Sequence, residues 1–345
     1  MGQFLEAEKP RQAAFKAGSP HFSEAARGQG LYRGKRYPFC LPQERAEENL
    51  FSDIREDALG YFERLEIKWH DGRDRDPSNH LCDSQVCCVN FLFPFARRPH
   101  ALIELLRPVF PTIHRLLPME EDKAPGQLVS FEWIGEDNYL GEKVPRSGKR
   151  TRGANFTSAD AAVMFEHENG LRQIVLTEWK YTESYGSTSL KKAPSGTNRT
   201  EIYAPLYDDA DCPLNRSLLS SFDDLFYEPF YQLMRQQFLA HKMEKAHELQ
   251  ANVVSVLHIA PAHNSDFRNV TSPRLRPLGT SAIDVWKRLV RTPDRFRSVS
   301  TEALFGGLDV GGLPGLAPWW QYINQRYSWL HRGDQWHRRQ SIERP

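Results

Sequence analysis

Residues 158–183 read SADAAVMFEHENGLRQIVLTEWKYTE, and the fold turns on how this stretch pairs with itself. Ile174, Val175, Thr177, Trp179, Tyr181 and Thr182 are β-branched or aromatic, which favours a strand over a helix. Residues 161–165 are apolar on both faces, as a central strand requires. Between the two arms lies Glu168-Asn169-Gly170. A two-residue Asn-Gly loop would pair positions whose numbers sum to 339, leaving Asp160 and Glu178 on opposite faces. A three-residue loop with Gly170 in the left-handed conformation pairs positions summing to 338. Asp160 then stands opposite Glu178 with Cβ atoms about 5 Å apart, and Lys180 follows on the same face by the period of two. Two carboxylates and an ammonium on a mostly buried hairpin cost too much to be incidental packing. The three-residue loop, or an equivalent bulge, is therefore expected.

Two adjacent carboxylates repel each other and hold on to protons unless a cation neutralises them. Oxygen ligands suit Mg²⁺, or Mn²⁺ in its place; Mg²⁺ usually takes one or two protein carboxylates and keeps several waters. A lysine beside such a centre can orient or deprotonate a water, or stabilise charge on a phosphate. On spacing alone, an ordinary Asp–Lys–Glu ion-pair cluster at a sheet end competes with this reading.

Asp160 followed by Glu178-Trp179-Lys180 resembles the D…(D/E)-x-K core of the PD-(D/E)XK nuclease superfamily. Within it, Glu178-Trp179-Lys180-Tyr181-Thr182-Glu183 is similar to a family of bacterial restriction endonucleases. The likeness extends to Ser84, Gln85, Asn90 and Phe91, to Phe131-Glu132-Trp133, and to Tyr231, Gln232, Leu233 and Arg235, covering about the central half of the chain. One departure is Ala159, where the superfamily often has proline. The resemblance implies an α/β fold with α+β elaborations: a restriction-endonuclease-like αβββαβ core whose central mixed β-sheet is flanked by helices. It implies that Asp160 and Glu178 hold the metal with the Trp179 carbonyl, and that Lys180 acts on the attacking water. Glu132 becomes the candidate for an additional acidic ligand, with Glu142 the alternative. Gln232 and Arg235 would approach the scissile phosphate from the following helix, and Gln85 and Asn90 either support the site or satisfy buried backbone groups. A restriction or anti-phage role comes from the resemblance alone.

The 345 residues carry a formal net charge of +1, so no global nucleic-acid footprint exists and any DNA contact must be local. Five cysteines (Cys40, Cys82, Cys87, Cys88 and Cys212) lack regular spacing, which reads as reduced thiols in a cytoplasmic protein and fits no zinc pattern. No apolar run approaches the roughly 18 residues of a membrane span.

Residues 1–40 read as a polar arm with the basic string Arg33-Gly34-Lys35-Arg36, residues 41–265 as the nuclease core with a helical N-terminal elaboration, and residues 266–345 as a basic, helical extension ending in a tail with Arg332, Arg338, Arg339 and Arg344. In the core, a helix is expected from Pro42 to about Leu65, another after Asp83 or Ser84, and short pieces through Leu117. A strand follows over 127–134, a long loop over 184–221, a helix from Pro229 to about Leu249 and a strand over 252–259. Lys143, Arg146, Lys149, Arg150 and Arg152 form an acid-free basic run ahead of Asp160 and are candidates for DNA-backbone contacts. The expected activity is a divalent-metal-dependent DNA endonuclease. A repair or recombination nuclease of the same fold and a non-catalytic DNA-binding module are the alternatives. The expected partner is DNA and not a membrane. A double-strand cut needs two sites, which accommodates a homodimer, although no interface is legible.

Overall fold

The computed structural model describes residues 2–154 and 156–331; the tail arginines Arg332, Arg338, Arg339 and Arg344 lie outside them. In chain order the elements are α1 (Gln3–Gly18), β1 (Gly30–Tyr32), β2 (Lys35–Tyr37), α2 (Ser52–Arg64), α3 (Ser84–Leu92), α4 (Pro99–Leu106), β3 (Ile113–Leu117), β4 (Ser130–Trp133), β5 (Ala159–His167), β6 (Arg172–Trp179), α5 (Arg199–Asp208), α6 (Phe230–Lys245), β7 (Val253–Ala260), α7 (Ala282–Leu289), β8 (Phe296–Ser300), α8 (Thr301–Gly306) and α9 (Ala317–Arg326). Six of the strands make one mixed sheet in the order β3-β5-β6-β7-β8, with β4 also on β5. The β5–β6 pair is antiparallel and the β6–β7 and β7–β8 pairs are parallel.

Strand alternation divides the core in two. Ala161, Val163, Phe165, Val175 and Trp179 point into an apolar cluster with α2, α3, α4 and α9, reaching Phe4 on α1 and Trp329 after α9. Ala162, Met164, Ile174 and Leu176 point to the opposite side, into a cluster with α6 and α7. This is the α/β architecture expected: a central mixed sheet between helices. Asp160, Glu178 and Lys180 share the parity of the second set.

The hairpin register is the one that decides the site. Ala161 pairs with Thr177 and Glu166 with Arg172, sums of 338, and Gly170 has φ +81°. Glu168, Asn169 and Gly170 form the three-residue loop, closed by the His167 N–H donating to the Leu171 carbonyl at 2.9 Å. A β-carbon at residue 170 would be strained at that φ.

Several local expectations are corrected. The Pro42–Leu65 helix is two pieces, a 3₁₀ turn over Gln43–Asn49 and then α2. Asn90 causes the break: its Oδ1 accepts the Phe51 N–H at 2.7 Å and its Nδ2 donates to the Asn49 carbonyl at 3.0 Å. The pieces before Leu117 include an edge strand, β3, held to β5 by a bidentate Arg115–Glu166 pair at 3.0 Å. The 184–221 loop contains α5, capped by Asn198. The polar arm is largely structured, for α1 buries Glu8, Gln12 and Lys16 one turn apart. Past Phe4 its core-facing stripe is polar, so apolar periodicity could not reveal it. All five cysteines are free and buried. Among the described residues no helix is long and apolar enough to cross a membrane.

Candidate active site

The β5–β6 ladder ends at Ala161 and Thr177, and the same register carried one residue further sets Asp160 against Glu178. There the Asp160 side chain takes over the ladder's role: its Oδ2 accepts the Trp179 N–H at 2.7 Å. β7 supports the same strand end from the other side, with the Lys180 N–H donating to the Ile259 carbonyl at 2.8 Å. The Trp179 carbonyl belongs to this clamped peptide. Its indole packs on Phe91 in the first core, fixing the direction of the chain between Glu178 and Lys180.

Glu178 is 1 % exposed and Lys180 6 %. Lys180 Nζ lies 2.5 Å from Glu178 Oε1, yet that oxygen receives no well-directed hydrogen bond and is sealed from solvent. Burial, and then the charge of Glu178, push the Asp160 carboxyl well above its ordinary range. Burial alone would lower the Lys180 ammonium, but Glu178, Tyr185, Glu183 and Asp160 together hold it well above the usual value. Two carboxylates side by side, Glu178 buried and Asp160 half-buried, with one lysine ammonium for the pair, fit a divalent cation. Among the described residues no three His, Cys, Asp or Glu side chains converge as a full metal cage. Two carboxylates, a carbonyl and waters are a donor set that Mg²⁺ accepts.

Glu132 is brought to the same neighbourhood. It holds φ +51° inside β4, an uncommon conformation for a side-chain-bearing residue. Its Oε1 accepts from Gln85 Nε2 at 2.7 Å and its Oε2 from Ser158 Oγ at 2.6 Å. Burial raises its carboxyl, with the Glu178 charge adding to the effect. Glu142, the alternative acid, is committed elsewhere: it accepts from the Thr157 N–H, the Thr157 hydroxyl and Tyr203. Gln85 thus reaches the site through Glu132, whereas Asn90 serves the α2 junction and does not.

On α6, Gln232 accepts from Tyr185 at 3.4 Å, Gln236 donates to the Ser158 carbonyl at 2.5 Å, and Arg235 stacks on Tyr231 at 4.8 Å with its Nε unpartnered. The basic run divides. Lys143 and Arg146 are exposed, and Lys149 is exposed and paired with Glu66. Arg150 spends its bonds on the carbonyls of Ile134, Gly135 and Glu136. Arg152 bonds Glu120, Tyr61 and the carbonyls of Phe131 and Glu132, so Arg152 braces β4 and Arg150 the turn that follows it. A cleft of about 1020 Å³ bordered by Trp133, Lys149, Arg150 and Arg152 lies apart from Asp160, Glu178 and Lys180.

Three neighbours were not anticipated. Glu228, just ahead of α6, has its carboxyl raised by burial and feels Arg235, Lys180 and Glu178. His258 pairs with Glu178 across β6–β7, and burial followed by the Lys180 charge push it down to about 3. His70 Nδ1 lies 2.5 Å from Asp83, which holds the imidazole up at about 9, and the His70 backbone N–H donates to Gln85 Oε1 at 2.7 Å. For His258 the signal is positional: on a strand parallel to β6, residue 258 shares the face of Glu178. Glu228 and His70 reach the site only through tertiary packing.

The model of a protein family described as "Restriction Endonuclease associating with ARP" (REase-ARP) matches residues 9–328. The chain belongs to that restriction-endonuclease family. No curated protein and no solved structure matched it.

Proposed function

We propose that this member of the REase-ARP family is a divalent-metal-dependent DNA endonuclease built on the PD-(D/E)XK plan, acting in restriction or anti-phage defence in the cytoplasm. The observation that carries the reading is the hairpin register that sets Asp160 against Glu178, with Glu178 buried, Asp160 half-buried and Lys180 paired to Glu178. Asp160, Glu178 and the Trp179 carbonyl would hold Mg²⁺ or Mn²⁺, with Glu132 contributing directly or by orienting a water.

When bound, the metal would lower the pKa of a water and polarise a phosphoryl oxygen. The protein's own share is positioning. Lys180, locked at 2.5 Å from Glu178, directs a donor toward the water and the developing charge on phosphate. Ser158 and Gln85 fix both oxygens of Glu132. Arg235 and Gln232 on α6 would meet the phosphate, a bidentate guanidinium being well shaped for it. Lys143, Arg146 and Lys149 would lie along the DNA backbone. A homodimer would supply the second cut of a duplex, and the family's description adds association with ARP as a partner to test.

The test is cleavage of supercoiled plasmid, linear duplex and single strands in Mg²⁺ or Mn²⁺. Nicking or linearisation of the circle by the wild type, absent in Glu178→Ala, supports the reading. Cutting confined to ends would make it an end-processing nuclease, and undiminished cutting by Glu178→Ala would place the chemistry elsewhere.

A further inference from the structure

The basic string Arg33-Gly34-Lys35-Arg36 is not a loose tail. It caps a two-stranded ribbon in which Leu31 pairs with Arg36 and Tyr32 with Lys35. The two turn residues, Arg33 at φ +47° and Gly34 at φ +79°, have the left-handed geometry whose twist matches a tight hairpin. From Gly28 to Leu41 there is no acidic residue. Arg33, Lys35 and Arg36 are all exposed, and none of them has an ion-pair partner among the described residues.

The ribbon's base is rigid. A β-carbon on Gly30 would fall 1.9 Å from the Leu41 carbonyl oxygen, so the chains touch there backbone to backbone. Asn79 Nδ2 donates to the carbonyls of Leu31 and Leu41 at 3.0 and 2.7 Å. Buried Lys16 donates to those of Gly28 and Cys40 at 2.6 and 2.8 Å.

The ribbon also connects to the candidate site through consecutive contacts. Tyr32 packs edge-on to His80 at 4.9 Å. The His80 carbonyl accepts the Asp83 N–H, Asp83 holds His70, His70 bonds Gln85, and Gln85 bonds Glu132. Because Tyr32 faces His80, alternation puts Leu31 and Arg36 on the other face of the ribbon, where Arg36 also donates to the Gln29 carbonyl at 3.1 Å. Leu31 is 54 % exposed, an unusual position for a large aliphatic side chain set among cations.

We propose that the β1–β2 hairpin is a DNA-reading ribbon that enters the major groove beside the phosphodiester offered to Asp160, Glu178 and Lys180. That groove, about 12 Å wide, admits a two-stranded ribbon. Arg33 and Lys35 contact phosphates, Arg36 reaches a phosphate or a guanine edge, and Leu31 meets a thymine methyl. The proposal rests on the nuclease reading for its choice of ligand.

The experiment uses the full chain carrying Arg33→Ala, Lys35→Ala and Arg36→Ala together, and separately Leu31→Ala, with thermal melting to confirm folding. Equilibrium binding to a fluorescent duplex is measured against salt without divalent metal, and hydrolysis of bis(p-nitrophenyl) phosphate is measured in Mn²⁺. The triple variant is expected to bind duplex at least tenfold more weakly, with a log–log salt slope shallower by about two to three, at 0.9 per phosphate contact. Hydrolysis of the small diester, which has no groove, stays at the wild-type rate. Unchanged affinity and slope would overturn the ribbon while leaving the nuclease intact, and would redirect these cations to an acidic protein partner. A hairpin-dependent slope in a wild type that neither cuts plasmid in Mg²⁺ or Mn²⁺ nor hydrolyses the small diester would support the ribbon and overturn the nuclease reading.

Discussion

Lys180 Nζ sits 2.5 Å from Glu178 Oε1, two residues away on the same strand face, and both side chains are buried. The ammonium is therefore a fixed donor held at the acids, with no freedom to sample solvent. Lys180→Met should lower the single-turnover cleavage rate about 10²- to 10³-fold, the usual cost of removing one preorganised charge-stabilising group. Duplex affinity should stay within about twofold. Cleavage unaffected by the substitution would dissociate Lys180 from the chemistry.

Asp160 makes a prediction about stability with a definite sign. Its folded-state pKa is raised by burial and by Glu178, so the carboxyl contributes stability below its unfolded value near 4 that is lost as pH rises through the folded value. Asn at this position keeps an acceptor for the Trp179 N–H and carries no charge. In metal-free buffer at pH 8, Asp160→Asn should melt at or above the wild-type temperature, and Mg²⁺ should raise Tm only in the wild type. A lower metal-free Tm together with an intact Mg²⁺ shift would remove Asp160 from the metal site.

Glu132 and Asn90 separate a site role from a folding role within one family resemblance. Glu132→Gln, and more weakly Gln85→Ala, should reduce cleavage about 10- to 100-fold, as loss of an orienting partner does around metal ligands. Asn90→Ala removes the partners of Phe51 and Asn49, costs about 1–3 kcal/mol, and should leave kcat unchanged. Chemical denaturation and single-turnover kinetics on the same preparations check both.

The hairpin was legible because its information is local. Gly170 and the alternation of β6 fix the register, and register fixes which side chains share a face. The fold class was implied by the family resemblance, and the order of helices and strands along the chain agreed with it. What escaped has a common physical basis: apolar patterning is blind to elements that bury polar groups. α1 buries Glu8, Gln12 and Lys16, and Arg150 and Arg152 read as DNA contacts because their carbonyl acceptors are revealed only by folding. The break before α2 depends on Asn90, which lies 39 residues beyond Phe51, the residue whose N–H it accepts.

The His70–Asp83 pair predicts the opposite end of the pH scale. The hydrogen bond to Asp83 raises the imidazole to about 9 from an ordinary value of 6.5. The stabilisation is fully present below about pH 6.5 and is lost as pH rises through about 9. His70→Ala should lower Tm at pH 6 and make little difference at pH 10. A constant Tm loss across that range would mean that packing, and not charge, accounts for His70.

Arg326 holds the active-site strand at a distance. It is 2 % exposed and donates to Gln12 Oε1, the Asn49 carbonyl, Asn49 Oδ1, Tyr322 and the Leu81 carbonyl. Gln12 in turn donates to the Tyr181 hydroxyl at 3.1 Å, and Tyr181 donates to Glu8 at 2.7 Å. Tyr181 directly follows Lys180, so α1 and α9 together tie down the residue after the candidate catalytic ammonium. Arg326→Met keeps the side chain's bulk but leaves several buried acceptors without donors, at about 1–3 kcal/mol for each left unpaired. A loss of at least about 3 kcal/mol is expected from denaturant titration. In the fraction that remains folded, cleavage should fall while affinity for duplex is retained, because the tether acts on the position of Lys180 and not on DNA. Full stability in Arg326→Met would show that Asn49 and Gln12 find other donors, and would release Tyr181 from this role.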